Sequence, residues 1–355
     1  MPNNTIKTLN FPNISHRYWL DIMNNSKYLD HQFDFYGSGE LVELLETRVA
    51  KLLGKQQALF FPKGVIAQLT ALKVAAEIKA NNNVILHPYC HIAANEENGY
   101  QALMGLRGIE LGTPHQPFDF ESVSNVAEKV GTLTVELPLR RAGFKLTPWQ
   151  ELLDMQDWAK HNNTHFHLDG ARIWESSHYY NKSYDQIASL FDSVYVSFYK
   201  GIGGLSGAVL AGDEDFIEKC RVWRKRLGGE LFSSFPMLIT ALEGLDKNLQ
   251  TIPQRVERGI EIAALLNSID DFHVDVPHTN GFLIFVKAPL EQLNNKISEL
   301  RNSLKMKLIH EFVPTAIGNI QSAEVQIGVA AEELTNLQIV DYFKALTVDI
   351  SKNKP

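Results

Sequence analysis

Residues 131–169, GTLTVELPLRRAGFKLTPWQELLDMQDWAKHNNTHFHLD, decide the fold. GTLTVEL is an apolar, β-branched run of strand length, and THFHLD is another. Between them one helix-like piece spans Trp149 to His161, with Pro148 ahead of it and two asparagines behind. Two runs that are apolar on both faces, joined through a helix, read as neighbouring parallel strands covered on both sides. The same alternation extends in both directions. QALFFP, NVILHP and GIELGT come before it, SVYVSF and GAVLAG after it, and most of these runs are bounded by Gly, Pro, Asn or Asp. LVELLETRVAKLL, from Leu41 to Leu53, has helical spacing and stops at Gly54, and Gly64 opens the helix-like GVIAQLTALKVAAEIKA. The expectation is an α/β chain whose large domain, residues 1–250 with the N-terminal segment, is a mostly parallel doubly wound sheet. A boundary is expected within the amphipathic stretch from Leu238 to Leu266. Beyond it, residues 251–355 form a smaller α+β domain with GFLIFVKA, KLIHEFVP and EVQIGV as strands.

Composition narrows the function classes. The 355 residues carry a formal charge of −7, with 45% hydrophobic and 21% charged residues, the balance of an ordinary globular protein. A net negative chain argues against nucleic acid or an anionic membrane as partner. No apolar run approaches the ~18 residues that a membrane span needs. Two cysteines, Cys90 and Cys220, are too few for a disulfide framework, and the N-terminus has no apolar core of an export signal, so a cytoplasmic location is expected.

In open parallel sheets the chemistry sits at the carboxyl ends of the strands. That rule selects His91 after NVILHPYC, Asp169 and Arg172 in THFHLDGAR, and Lys200 after SVYVSFY. A lysine between two core strands either snorkels to water or has chemistry to do. Asp169 alone could be a helix cap, His91 a loop histidine and Arg172 an ion-pair residue. Taken together, a lysine amine, a carboxylate, an arginine and a glycine-led helix at PKGVIAQ fit pyridoxal phosphate. The lysine takes the aldehyde as a Schiff base, and the carboxylate keeps the pyridine nitrogen protonated so that the ring is an electron sink. The phosphate sits on helix N-terminal amides, and a histidine stacks on the ring. His161, His165, His167 and Asp169 offer a metal reading as well, but no His-Glu-x-x-His pattern completes it, so no metal is expected. GIGGLSG has Ser206 where a dinucleotide turn needs its third glycine, and no P-loop pattern occurs.

Four segments, in order, resemble the threonine aldolase and β-eliminating lyase group of fold-type I pyridoxal-phosphate enzymes, whose architecture is that of aspartate aminotransferase. They are YGSGELVELLETRVAKLLGKQQALFFPKGVIAQ, HPYCHIAANEENG, HFHLDGARIWE and SFYKGIGGLSGAVLAGDEDFIEKCRVWRKRLGG. The resemblance runs from Tyr36 to Leu245. It implies Lys200 as the Schiff-base lysine, Asp169 as the pyridinium partner and His91 as the stacking ring, with Glu96 matching a family glutamate. It implies Gly64 and Val65 in the phosphate turn, Arg172 at a substrate or cofactor anion, and Lys225 near the phosphate, across a subunit boundary of a homodimer or homotetramer. Three departures stand out. Val65 replaces a hydroxyl residue. Leu139, Arg140 and Arg141 stand where the family has a second histidine, and Gln326 aligns with its carboxylate-binding arginine. Arg140 or Arg141 is the candidate substitute grip. The resemblance implies a lyase that cleaves the Cα–Cβ bond of a small β-hydroxy amino acid. A β-eliminating lyase on another amino acid and a non-catalytic cofactor-binding homologue are the alternatives.

Overall fold

The structure is a computed structural model that describes residues 6–12 and 14–348. The chain divides into two units. The larger one covers Arg17–Ile252, and the smaller combines the described residues before Arg17 with those from Pro253 on.

Every strand expected in the larger unit forms: β1 Gln57–Phe61, β2 Asn83–Leu86, β3 Arg107–Glu110, β4 Thr132–Glu136, β5 His165–Asp169, β6 Ser193–Ser197 and β7 Ala208–Gly212. They make one sheet in the order β1-β7-β6-β5-β4-β2-β3. The run from β3 to β6 is parallel, and β7 pairs antiparallel with both β6 and β1. β5, β6 and β7 are buried at every position, because helices cover both faces of a parallel sheet and leave no side for polar alternation.

Helix α1, Glu40–Leu53, buries Leu41, Val42, Leu45, Val49 and Leu53 on one face. It ends at Gly54, whose left-handed φ of 61° lets its amide reach back to the last carbonyls. Helix α2, Gly64–Lys79, starts as soon as β1 ends and lies against β5, β6 and β7. Helix α3, Trp149–His161, is the crossover between β4 and β5. Helix α4, Glu214–Arg226, packs on α2 around a core that includes Leu59, Phe61, Ala71, Val74 and Phe216.

The smaller unit has a four-stranded antiparallel sheet, β10-β11-β9-β8, made of β8 Phe272–Val274, β9 Gly281–Lys287, β10 Val313–Pro314 and β11 Ile320–Gln326. Here three expectations are corrected. KLIHEFVP pairs only through Val313 and Pro314. Its Leu308, Ile309 and Phe312 are apolar because they fill the core of this unit from an irregular segment. The strand at EVQIGV starts earlier, at Ile320, and stops at Gln326. The segment assigned to the large domain at the N-terminus belongs to this unit. The Lys7 amide donates to the Lys305 carbonyl at 2.8 Å, and Leu9 is buried in the same core.

Candidate active site

Parallel strands aligned in register deliver their last residues to one edge. Glu136 and Asp169 are direct neighbours across the β4–β5 ladder, and Asp169 pairs with Tyr195 on β6. At that edge His91, Glu136, Arg140, Asp169, Arg172 and Lys200 line one pocket, joined by Tyr89, Asn95, Arg141 and Ala171. Six of the residues singled out from sequence therefore meet: Lys200, Asp169, His91, Arg172, Arg140 and Arg141.

Each side chain is set by local bonds. Asp169 is buried, and its Oδ1 accepts the Ala171 amide at 3.1 Å, which closes the turn that follows β5. Lys200 lies three residues past the end of β6, and its amine is brought down from 10.5 to about 8. Burial is the main cause and the Arg172 charge the second, and Asp169, Glu136 and Glu175 only partly offset them. The buried Arg172 guanidinium lies over the Phe144 ring at 5.4 Å.

His91 opens a short helix, and its Nδ1 is 2.9 Å from Glu96 Oε1. Burial raises the Glu96 carboxyl, and the bond to His91 pulls it back. In the neutral tautomer that donates Nδ1–H to that carboxylate, Nε2 carries the lone pair. Arg140 and Arg141 form a single helical turn that ends at Gly143, and Arg141 Nε donates to Asn95 Oδ1 at 3.2 Å.

The N-terminus of α2 approaches from the other side. Its cap position, Lys63, makes no side-chain cap bond, and a Cβ on Gly64 would lie 2.0 Å from Tyr195 Oη and 2.9 Å from Tyr199 Oη. Only glycine lets the helix start against the tyrosine that immediately precedes Lys200. Val65, next in line, packs instead against the apolar cluster of Leu69 and Leu72. Lys225 is not part of the pocket lining. Its side chain is 78% exposed, with Nζ 3.9 Å from Glu230 Oε2. The histidines of the metal reading are otherwise engaged. His165 Nε2 and His167 Nδ1 each lie 2.7 Å from Ser193 Oγ, and His167 Nε2 lies 2.7 Å from Gln68 Oε1. Burial lowers both rings to about 3, so both are neutral.

The sequence reading passed over Glu136. It ends β4 as Asp169 ends β5, and the strand-end rule that found Asp169 applies to it equally.

This constellation fits pyridoxal phosphate: an amine of lowered basicity, a buried carboxylate one strand away, and a helix N-terminus that glycine brings up to the same strand end. Comparison with known proteins agrees. Residues 25–289 match the family model described as beta-eliminating lyase. A curated low-specificity L-threonine aldolase of Arabidopsis thaliana is 27% identical over 267 residues, which is 71% of this chain and 73% of that protein. An uncharacterised protein of Caenorhabditis elegans is 28% identical over 66% of this chain, a stretch that spans only 58% of its own length. Among solved structures, a candidate L-allo-threonine aldolase of Listeria monocytogenes superposes with a TM-score of 0.90 at 32% identity, covering 98% of this chain and 97% of that one.

Proposed function

Because the chain belongs to the β-eliminating lyase family, we propose that it cleaves the Cα–Cβ bond of a small β-hydroxy amino acid, giving glycine and an aldehyde. The fold is that of fold-type I pyridoxal-phosphate enzymes, and pyridoxal 5′-phosphate is the cofactor. When bound, that cofactor supplies a ring that takes up the electron pair left on Cα as the bond breaks. The observation that carries the reading is the meeting of Lys200, Asp169, His91 and two arginines at one strand edge.

In this reading Lys200 would anchor the cofactor through its amine, which near pH 8 is about half free of its proton and then nucleophilic. Asp169 would pair with the pyridine nitrogen and hold its proton. The first amides of α2 hold the phosphate, and Gly64 allows their approach. His91, held by Glu96, would stack on the ring, and its Nε2 would accept the β-hydroxyl proton as the aldehyde leaves. Arg172 and Arg140 pair with the substrate carboxylate, since a desolvated carboxylate needs a cation and the guanidinium fork binds both oxygens.

The active form is a homodimer or homotetramer in this reading. Phe33, Phe35, Tyr36 and Phe232 are between 48% and 59% exposed yet touch one another edge to face, an apolar patch suited to a second copy of the chain. No helix among the described residues is long and apolar enough to cross a membrane, and both cysteines are buried and unpaired, in keeping with a reducing, cytoplasmic compartment.

A second reading, β-elimination, is favoured by the arginines Arg140 and Arg141 at the turn where a histidine was expected. The deciding experiment incubates purified holoenzyme with a panel of β-hydroxy amino acids. Aldehyde and glycine in equal amounts support aldol cleavage. Ammonia and a keto acid support β-elimination, and no product from any substrate leaves a cofactor-binding homologue without lyase activity.

A further inference from the structure

Glu136 has a job that the reaction described above does not assign to it. Its carboxylate stands beside that of Asp169 at the end of the neighbouring strand, on the same face of the sheet. Two adjacent carboxylates with little water around them repel, and burial first, then the charge of Asp169, pushes Glu136 up to about 7. A glutamate in so unfavourable a place needs compensating bonds, and two are present. Oε2 accepts the backbone amide of His91 at 2.7 Å, and Oε1 accepts that of Arg140 at 3.2 Å. Those amides belong to two different loops. One opens the short helix His91–Ala94 after β2, and the other opens the turn Arg140–Ala142 after β4. A single carboxylate thus ties together the starting points of both. Further out, the bond from Arg141 Nε to Asn95 Oδ1 joins the same two loops a second time.

We propose that Glu136 is a positioning residue, whose carboxylate clamps the His91 loop to the Arg140 turn and so sets the imidazole and the guanidinium relative to Lys200 and Asp169. The proposal rests on the roles given above to His91 and Arg140. Glu136 itself need not touch substrate. Its two oxygens are occupied by amides whose own side chains do the touching, so its removal should act through them. Without the carboxylate each loop loses a charge-assisted bond at its first residue, the point from which the functional side chain projects.

The test compares Glu136→Ala, Glu136→Gln, Arg140→Ala and the double variant Glu136→Ala/Arg140→Ala with the wild type. The readouts are pyridoxal-phosphate affinity, by absorbance titration of the apo-protein, and KM and kcat for L-threonine and L-allo-threonine. Glu136→Ala is expected to raise KM by roughly tenfold or more and to weaken cofactor binding, with a smaller change in kcat. In the Arg140→Ala background the same substitution should raise KM by less than about threefold, because the guanidinium it positions is gone. Glu136→Gln keeps one acceptor and turns an N–H toward the other amide, so it should fall between Ala and wild type. It carries the test if the alanine variant does not fold. Wild-type KM and cofactor affinity in the variants would overturn the proposal. So would fully additive effects in the double variant, and so would a loss confined to kcat, which would make Glu136 a proton carrier. If the wild type cleaves neither amino acid, the functional reading fails while the cofactor titration still reports on the clamp.

Discussion

The depressed basicity of Lys200 can be read directly in the rate at which the apo-protein takes up pyridoxal phosphate. Only the free amine attacks an aldehyde. With its pKa brought from 10.5 to about 8, the free fraction at pH 7 is roughly one in ten, against roughly three in ten thousand for an ordinary lysine, a gain of about 300-fold. The sign follows from the direction of the shift. Because the folded-state value is lowered, the rate should climb as pH rises toward about 8 and level off above it, where a normal lysine would still be climbing. Stopped-flow absorbance of the lysine-bound cofactor, scanned from about pH 6 to about pH 10, measures this. Dividing by the rate of a free lysine analogue, itself first corrected for that analogue's free-amine fraction at each pH, cancels the cofactor's own ionisations. Burial is the larger cause and Arg172 the second, so Arg172→Gln should move the midpoint upward without restoring it to 10.5. A normalised rate still rising above about pH 9.5, or a midpoint that falls in Arg172→Gln, would refute the account of why this lysine is reactive.

Three further perturbations address the rest of the site. Gly64→Ala forces a methyl to within 2.0 Å of Tyr195 Oη, so it should cost about 1–3 kcal/mol of stability in a denaturant titration and weaken pyridoxal-phosphate binding. Cofactor affinity equal to wild type would mean that the phosphate does not rest on α2. Arg140→Ala should lower kcat/KM by about 1–3 kcal/mol for amino-acid substrates and leave the corresponding amino alcohols unaffected, since these have no carboxylate to lose. Phe232→Asp puts a charge into an aromatic patch that is 59% exposed at this residue and should shift the protein to smaller species in sedimentation velocity, an effect absent if the patch faces solvent.

The large sheet was legible because its inner strands are buried on both faces. Their composition is then apolar throughout, and Gly, Pro, Asn and Asp mark their ends, as at THFHLD and SVYVSF. The small unit was less legible for the opposite reason. β8 is three residues long, too short to show a period, and β11 begins with Ile320, Gln321 and Ser322, which pair with Lys287, Val286 and Phe285 of β9, partners that the local sequence does not display. KLIHEFVP looked like a strand because apolar content reports burial and not backbone conformation. Lys7 and Leu9 are bound to residues some 300 positions away, a contact with no local signature. In the site, Asp169 and Lys200 were found by position at strand ends, and His91 by its place just after one. Glu136 obeys the same rule, but a glutamate that ends a strand is usually taken for a solvated turn residue. Its partner amides are backbone groups, which sequence does not display.

In the proposed reading the arginines of the strand edge grip the substrate carboxylate, and the bonds of Gln326 support that assignment. It ends β11 opposite Gly281, and its side-chain Oε1 accepts a bond from Asn10 Nδ2 at 2.9 Å. Asn10 is held there in turn by its backbone, whose carbonyl accepts the Ala330 amide at 3.2 Å and leaves no room for a Cβ on Gly328, which would fall 2.2 Å from it. The amide of Gln326 is therefore part of the packing that anchors the N-terminal segment on the small sheet. It carries no charge with which to offset the desolvation of a carboxylate. An arginine at this position would break the bond to Asn10. Arg172 is different, since it is buried, lines the same pocket as Lys200, and acts on that lysine strongly enough to depress its basicity. A cation that perturbs the Lys200 amine is near enough to act on an anion bound beside it. In the proposed reading Arg140 and Arg172, which line one pocket, supply the charge that Gln326 lacks.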